Sequence, residues 1–178
     1  GISLYDVMPG VDVIAVQGIN TRTINYEKAI DIGEEERVTM LEAALQHGEK
    51  GKIYIMLGGN ALGYELDPFI EDYREFDQAV KQQYPKAVIY IQSMLPVTED
   101  AHLNYPLASN EKIDEYNLSI MQMAKELGVY YLDVAAAMVD AEGKLPTEAS
   151  PSDGMHLTGA YYFKWFDYLR SHTAVPYT

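Results

Sequence analysis

Ser150-Pro151-Ser152-Asp153-Gly154-Met155-His156-Leu157-Thr158-Gly159 sets an acid and an imidazole three residues apart. A turn-rich run precedes them, and an apolar helical run follows (Ala160, Tyr161, Phe163, Trp165, Phe166, Leu169). An Asp so placed can hold an imidazole in one tautomer and stabilise the imidazolium that forms when the ring takes a proton. The spacing alone favours a plainer reading, in which the Asp caps the last helix and the His falls in its first turn, because D-x-x-H is a short pattern. The rest of the chain shifts that balance.

Working outward from this stretch, residues 129–134 read as a strand, and residues 140–152 as the irregular loop that delivers Asp153 and His156. Before that strand, Asn110 opens a helix with Ile113, Tyr116, Ile120, Met123, Ala124 and Leu127 facing inward, and Gly128 closes it. Residues 96–109 form a long polar loop, and residues 87–91 a strand that leads into Gln92 and Ser93. Another helix has Asp67 as N-cap and Pro68 at its first position, buries Phe69, Ile70, Tyr73, Phe76 and Val80, and ends at Pro85. Residues 52–57 are a strand stopping at Gly58-Gly59-Asn60, and residues 34–47 a helix with Val38, Leu41 and Leu45 at helical spacing. Nearest the start, residues 11–16 read as a buried, β-branched strand running into Gln17-Gly18-Ile19-Asn20-Thr21.

Strands alternate with helices throughout, without repeat or linker, which predicts one α/β domain with a parallel sheet and helices on both faces. Ligands of such sheets bind outside the carboxyl ends of the strands. Gly18, Asn60, Ser93 and the Asp153–His156 pair all follow strands or the loop after the last one. The architecture therefore gathers them along one edge, which independent helix caps need not do.

Composition narrows the chemistry. The 178 residues are 48% apolar, enough for a sizeable core. A net charge of −14, from 27 acidic and 13 basic residues, argues against nucleic acid or an anionic membrane surface as partner. The absence of Cys excludes disulfides, thiolate metal sites and a Cys nucleophile. No apolar run is long enough to span a bilayer, no His and carboxylate cluster has metal-ligand spacing, and no glycine-rich phosphate loop appears. No cofactor or metal is expected. His47, at a helix C-terminus, reads as a dipole partner. His102 could line a cleft, and His172 reads as a solvated tail residue. Ser93 lacks the surroundings of a nucleophile elbow. The 15 tyrosines read as core and rim.

The motifs resemble those of the SGNH, or GDSL, hydrolases, a family of esterases and acyl-transfer enzymes. Gly18 is similar to the family's glycine after the second strand. Gly58-Gly59-Asn60 is similar to its Gly-x-Asn-Asp block, and Asp153-Gly154-Met155-His156 to its Asp-x-x-His pair. The resemblance implies a flavodoxin-like three-layer α/β sandwich and a serine esterase. In it, His156 is the general base, Asp153 orients it, and Gly18 and Asn60 form the oxyanion hole. The family handles small acyl esters, acetylated carbohydrates, lysophospholipids and thioesters. The polar 96–109 loop and the lack of a long apolar lid favour short acyl chains, above all O-acetyl groups on carbohydrate, and the resemblance implies an extracellular or envelope setting. Ala61 departs from the family's Asp, a change in the supporting structure.

A larger departure is the missing Gly-Asp-Ser. Gly1-Ile2-Ser3 is the closest string, but no strand precedes Ser3 to set up the sharp strand-to-helix turn that exposes a nucleophile. The family's first strand lies between its second and third. The expectation is that this strand and the nucleophilic serine precede residue 1. The rivals are Ser3 as a displaced nucleophile and a serine-less, non-catalytic carbohydrate-binding relative.

Overall fold

The computed structural model describes residues 10–33 and 36–174. At its centre is a parallel sheet in the order β3 (Lys52–Ile55), β4 (Val88–Gln92), β5 (Tyr130–Leu132). Ile53 pairs with Ile89, Ile55 with Ile91, and Ile91 with Tyr131. Alternation along β4 sends Ile89 and Ile91 to one face and Val88 and Tyr90 to the other. The first face is covered by α3 (Leu66–Gln83) and α4 (Asn110–Leu127), which bury Phe69, Tyr73, Val80, Ile113, Tyr116 and Ile120 against it. The second is covered by α5 (Val134–Met138) and α6 (Gly159–Ser171), with Met138, Phe166 and Leu169 inside. Both faces of the sheet are therefore packed by helices, as the alternation of elements predicts. Among the described residues, no helix is long and apolar enough to cross a membrane.

The N-terminal third departs from the sequence reading. Residues 11–16 form no strand, and Val11 and Val13 are 45% and 42% exposed. A β-branched run becomes a strand only where a neighbouring strand pairs its backbone, and no described residue forms a ladder with it. After them come α1 (Thr21–Ile24), capped by Asn20, and a small antiparallel pair, β1 (Ile30–Asp31) with β2 (Arg37–Val38). The helix expected over 34–47 is α2 (Met40–Gln46). Residues 34 and 35 of that span lie outside the described residues, as do Gly1 and Ser3. The Thr39 hydroxyl accepts from Glu42 N–H while the Glu42 carboxylate accepts from Thr39 N–H, so a capping box fixes the start of α2. Val38 is buried from the strand before it, and Leu45 is exposed.

Caps account for the remaining shifts. Glu65, not Asp67, precedes α3, and Pro68 sits in its first turn. Ser109, not Asn110, caps α4 by accepting from Lys112 N–H. The Asn110 side chain instead holds Val97 by both its N–H and its carbonyl, each at 2.9 Å. The strand over 129–134 shortens to β5 because Asp133 caps α5, a helix the sequence reading missed.

Candidate active site

The residues after β3 and β4 converge on the carboxyl edge of the sheet. Gly58 ends the run from β3 at φ +129°, and a Cβ there would fall 2.5 Å from Met94 Sδ, so the close approach to the β4 exit requires glycine. Ala61 N–H donates to Gly58 carbonyl at 2.7 Å, closing the turn that carries Asn60 outward. Ala61 is fully buried, so the position where the family has Asp packs here as core.

Asn60 donates through Nδ2 to the Ile19 carbonyl at 2.9 Å. This bond ties the Asn60 turn to the loop of Gly18, which has φ +80°. Arg22, just beyond, lies with its guanidinium 4.9 Å from the Tyr64 ring centre. A carboxamide nitrogen has two hydrogens. Only one is used by Ile19, and the second has no partner among the described residues.

Asp153 and His156 meet directly. His156 Nδ1 lies 2.6 Å from Asp153 Oδ2. Asp153 Oδ1 accepts from the N–H groups of Met155 and His156, both at 2.9 Å, and from Ser150 Oγ at 3.1 Å. The plainer reading of this Asp as the cap of the last helix fails, because Thr158 precedes α6 and Asp153 spends its oxygens on its own turn and the imidazole. Partial burial pushes the Asp153 carboxyl up, but the backbone donors of His156 and Met155, the imidazole and the Ser150 hydroxyl outweigh it and hold it well below the usual carboxylate range. It is thus a fixed anion behind the ring. The His156 side chain is 70% exposed, and no described residue bonds its Nε2, so the atom that would exchange a proton faces solvent.

A third element, invisible to sequence reasoning, completes this half. Leaving β4, the chain runs through Ser93 and Met94 to a 3-10 turn at Glu99–Leu103 and then to Asn104 and Tyr105. Asn104 Nδ2 donates to the Asp153 carbonyl at 3.2 Å, and Tyr105 hydroxyl donates to Asp153 Oδ2 at 3.1 Å. Further along, Leu107 reaches Gly63, where its Cδ1 would lie 3.2 Å from an added Cβ. The segment thereby touches both the Asp153 turn and the turn of Asn60. No hydrogen bond joins His156 to Asn60 or Gly18 among the described residues.

The remaining candidates fall away. Ser93 is fully buried and accepts from Ala135 N–H at 2.8 Å, so it is closed to any substrate. His47 pairs with Asp12 at 3.3 Å at the end of α2. His102 bonds the Glu99 carbonyl of its own turn, and His172 stacks on Tyr168 with ring centres 3.9 Å apart. No group of His and carboxylate residues among those described could hold a metal.

Comparison with known proteins bears on the family and the fold. The model of the GDSL-like lipase/acylhydrolase family matches residues 3–162. Among solved structures, one from Streptococcus pneumonia described as a platelet activating factor is 25% identical. It superposes with a TM-score of 0.72 over 87% of this chain and 68% of its own. A GDSL-like lipase from Bacteroides thetaiotaomicron is 22% identical, with a TM-score of 0.54 over 68% of this chain and 58% of its own. An acetylxylan esterase from Geobacillus stearothermophilus is 17% identical, with a TM-score of 0.61 over 86% of this chain and 67% of its own. The chain thus spans about two thirds of the length of these structures. No curated protein matches it.

Proposed function

The chain belongs to the GDSL-like lipase/acylhydrolase family, and from that premise we propose that it is a serine esterase in which Asp153 and His156 are two members of the catalytic triad. The observation that carries this reading is the 2.6 Å contact between His156 Nδ1 and a carboxylate anchored by further donors, with Nε2 left open to solvent. A buried structural ion pair would have no reason to leave that nitrogen exposed.

In this mechanism His156 Nε2 takes the proton of the attacking hydroxyl as the C–O bond to the ester carbonyl forms, and Asp153 stabilises the imidazolium. The carbonyl oxygen becomes an anion held by the free Asn60 N–H, the Gly18 N–H and the N–H of the nucleophile itself. Such preorganised donors are each worth about 3–4 kcal/mol of barrier. Collapse expels the alcohol, which receives the proton from Nε2. Water then repeats the sequence on the acyl-enzyme.

The nucleophile in this reading is a serine on a strand that precedes residue 1 and pairs with the edge of β3 that no described residue covers. Two features support that placement. β3 pairs only with β4 among the described residues, and residues 11–16, apolar at all but Asp12, form no ladder with any described residue. A strand between them would satisfy both sets of backbone groups. Small acyl esters, acetyl groups on carbohydrate above all, are the substrates we assign. The exposure of His156 and the polar character of 96–106 support a bulky polar leaving group over a long acyl chain.

The test is hydrolysis of p-nitrophenyl acetate and of acetylated oligosaccharides by the full natural chain, with fluorophosphonate labelling followed by intact mass. One adduct and measurable turnover, both lost in His156→Ala, are expected. A full natural chain that takes no adduct and hydrolyses neither ester is not this enzyme. Saccharide binding without turnover would identify a non-catalytic relative.

A further inference from the structure

We propose that Tyr105 is a positioning residue of the acid–base pair, acting through Asp153 to set the basicity of the His156 imidazole; the inference rests on the esterase reading above. Tyr105 hydroxyl and His156 Nδ1 bond the same oxygen, Asp153 Oδ2, at 3.1 and 2.6 Å. The other oxygen is occupied by Ser150 and two backbone N–H groups. The Tyr105 hydroxyl is therefore the side-chain donor that competes with the imidazole for negative charge. It comes from a segment 48 residues away in sequence. Among the described residues, the titratable groups in contact with the imidazole are Asp153 from its own turn and Tyr105, whose ring centre lies 6.3 Å from that of His156.

The arrangement is built. Thr98 N–H donates to the Gly154 carbonyl at 3.0 Å. Gly154 has φ +84°, and a Cβ there would fall 2.8 Å from Ala101 Cα. The missing side chain lets the 3-10 turn settle onto the Asp153 turn, and Asn104 then pins the Asp153 carbonyl. Tyr105 is half-buried and held above the ordinary phenol range by partial burial and by the carboxylate it bonds. It stays a neutral donor at and around neutral pH.

A hydrogen bond to Oδ2 drains charge from the atom that stabilises the imidazolium. Without it, Asp153 holds the protonated ring more tightly and the ring gives up its proton at higher pH. Tyr105→Phe removes one oxygen and keeps the ring. The acid limb of kcat/KM is expected to move up by about half a pH unit, with kcat down about 3- to 10-fold and KM unchanged. In an Asp153→Asn background the same substitution should have no further effect, because its route is gone. The downfield NMR signal of the His156 Nδ1 proton reports the same linkage without turnover and should move further downfield in Tyr105→Phe. Equal melting temperatures check the fold. An unmoved acid limb and an unmoved proton signal overturn the proposal, as does an undiminished effect beside Asp153→Asn. A wild type without esterase activity counts against the esterase reading, and the proton signal still decides whether Tyr105 acts on the pair.

Discussion

Asp77 offers a quantitative test of how this core is built. It lies on α3 at 1% exposure, and neither carboxylate oxygen has a hydrogen-bond partner among the described residues. Burial pushes its pKa from the ordinary 3.8 to about 8. The folded protein therefore keeps a proton that the unfolded chain releases above pH 3.8. Between pH 4 and 8 the native state binds more protons, so unfolding becomes easier as pH rises, by about 1.4 kcal/mol per pH unit. Across the whole window this amounts to about 6 kcal/mol, and to about 4 kcal/mol by pH 7. Asp77→Asn removes the ionisation and keeps the shape. Urea unfolding of both proteins from pH 4 to 9 gives the difference directly. Other titrating groups cancel, and Asp153, held low, contributes stability that is lost only as pH falls below 3.8. The variant should match wild type near pH 4 and exceed it by several kcal/mol at pH 8. Parallel curves would refute the reasoning, since they require an ionised Asp77 with a partner.

Three further outcomes follow from the site. Asn60→Ala should lower kcat by about 100-fold or more with little change in KM, and an unchanged steady-state rate removes Asn60 from the oxyanion hole. Gly154→Ala puts a methyl 2.5 Å from Thr98 Oγ1 at a positive φ. It should cost about 1–3 kcal/mol, and an unaltered thermal denaturation curve would show that the 3-10 turn is not seated as described. Asp153→Asn should reduce turnover about 10⁴-fold, as in other triads. The two backbone N–H groups on Oδ1 dictate that the amide oxygen face them, so its NH2 faces Nδ1, and the ring must carry its proton on Nε2 where it cannot act as base. Esterase assays that find a loss under tenfold would detach Asp153 from that role.

What could be read from the sequence divides along physical lines. β3, β4 and β5 are short β-branched or aromatic runs between helices with clear apolar stripes, and their burial is local information. The Asp153–His156 pair was legible because both members lie in one turn. Residues 11–16 misled because an isolated apolar run carries no sign of whether a neighbour exists. The start of α2 misled because three consecutive Glu residues suggest a helix N-terminus, while Thr39 and Glu42 three residues apart supply a stronger one. Asn117 and Asp77 interrupt apolar helix stripes, and that interruption was a usable signal. Asn117 clamps Met94 through both N–H and carbonyl, whereas Asp77 clamps nothing among the described residues. Tyr105 had no such signal, since its partner is distant in sequence and its loop has no periodicity.

These clamps explain how a loop can position chemistry. Beyond β4 the ladder ends with Ser93 N–H donating to the Leu132 carbonyl; past it Met94 is held by Asn117, Val97 by Asn110, Thr98 by the Gly154 carbonyl and Asp153 by Tyr105. Side-chain amides on α4 substitute for the missing strand and carry the rigidity of the core to the Asp153 turn. A catalytic carboxylate needs that rigidity, because its donors help the transition state only if they need not reorganise during the reaction. Five donors on Asp153 saturate its two oxygens. They keep it ionised, so it can stabilise an imidazolium without taking the proton itself. Loosening either end of this path, Asn117 on α4 or Gly154 beneath the 3-10 turn, should therefore weaken the acid–base pair although neither residue touches it as a donor to the carboxylate.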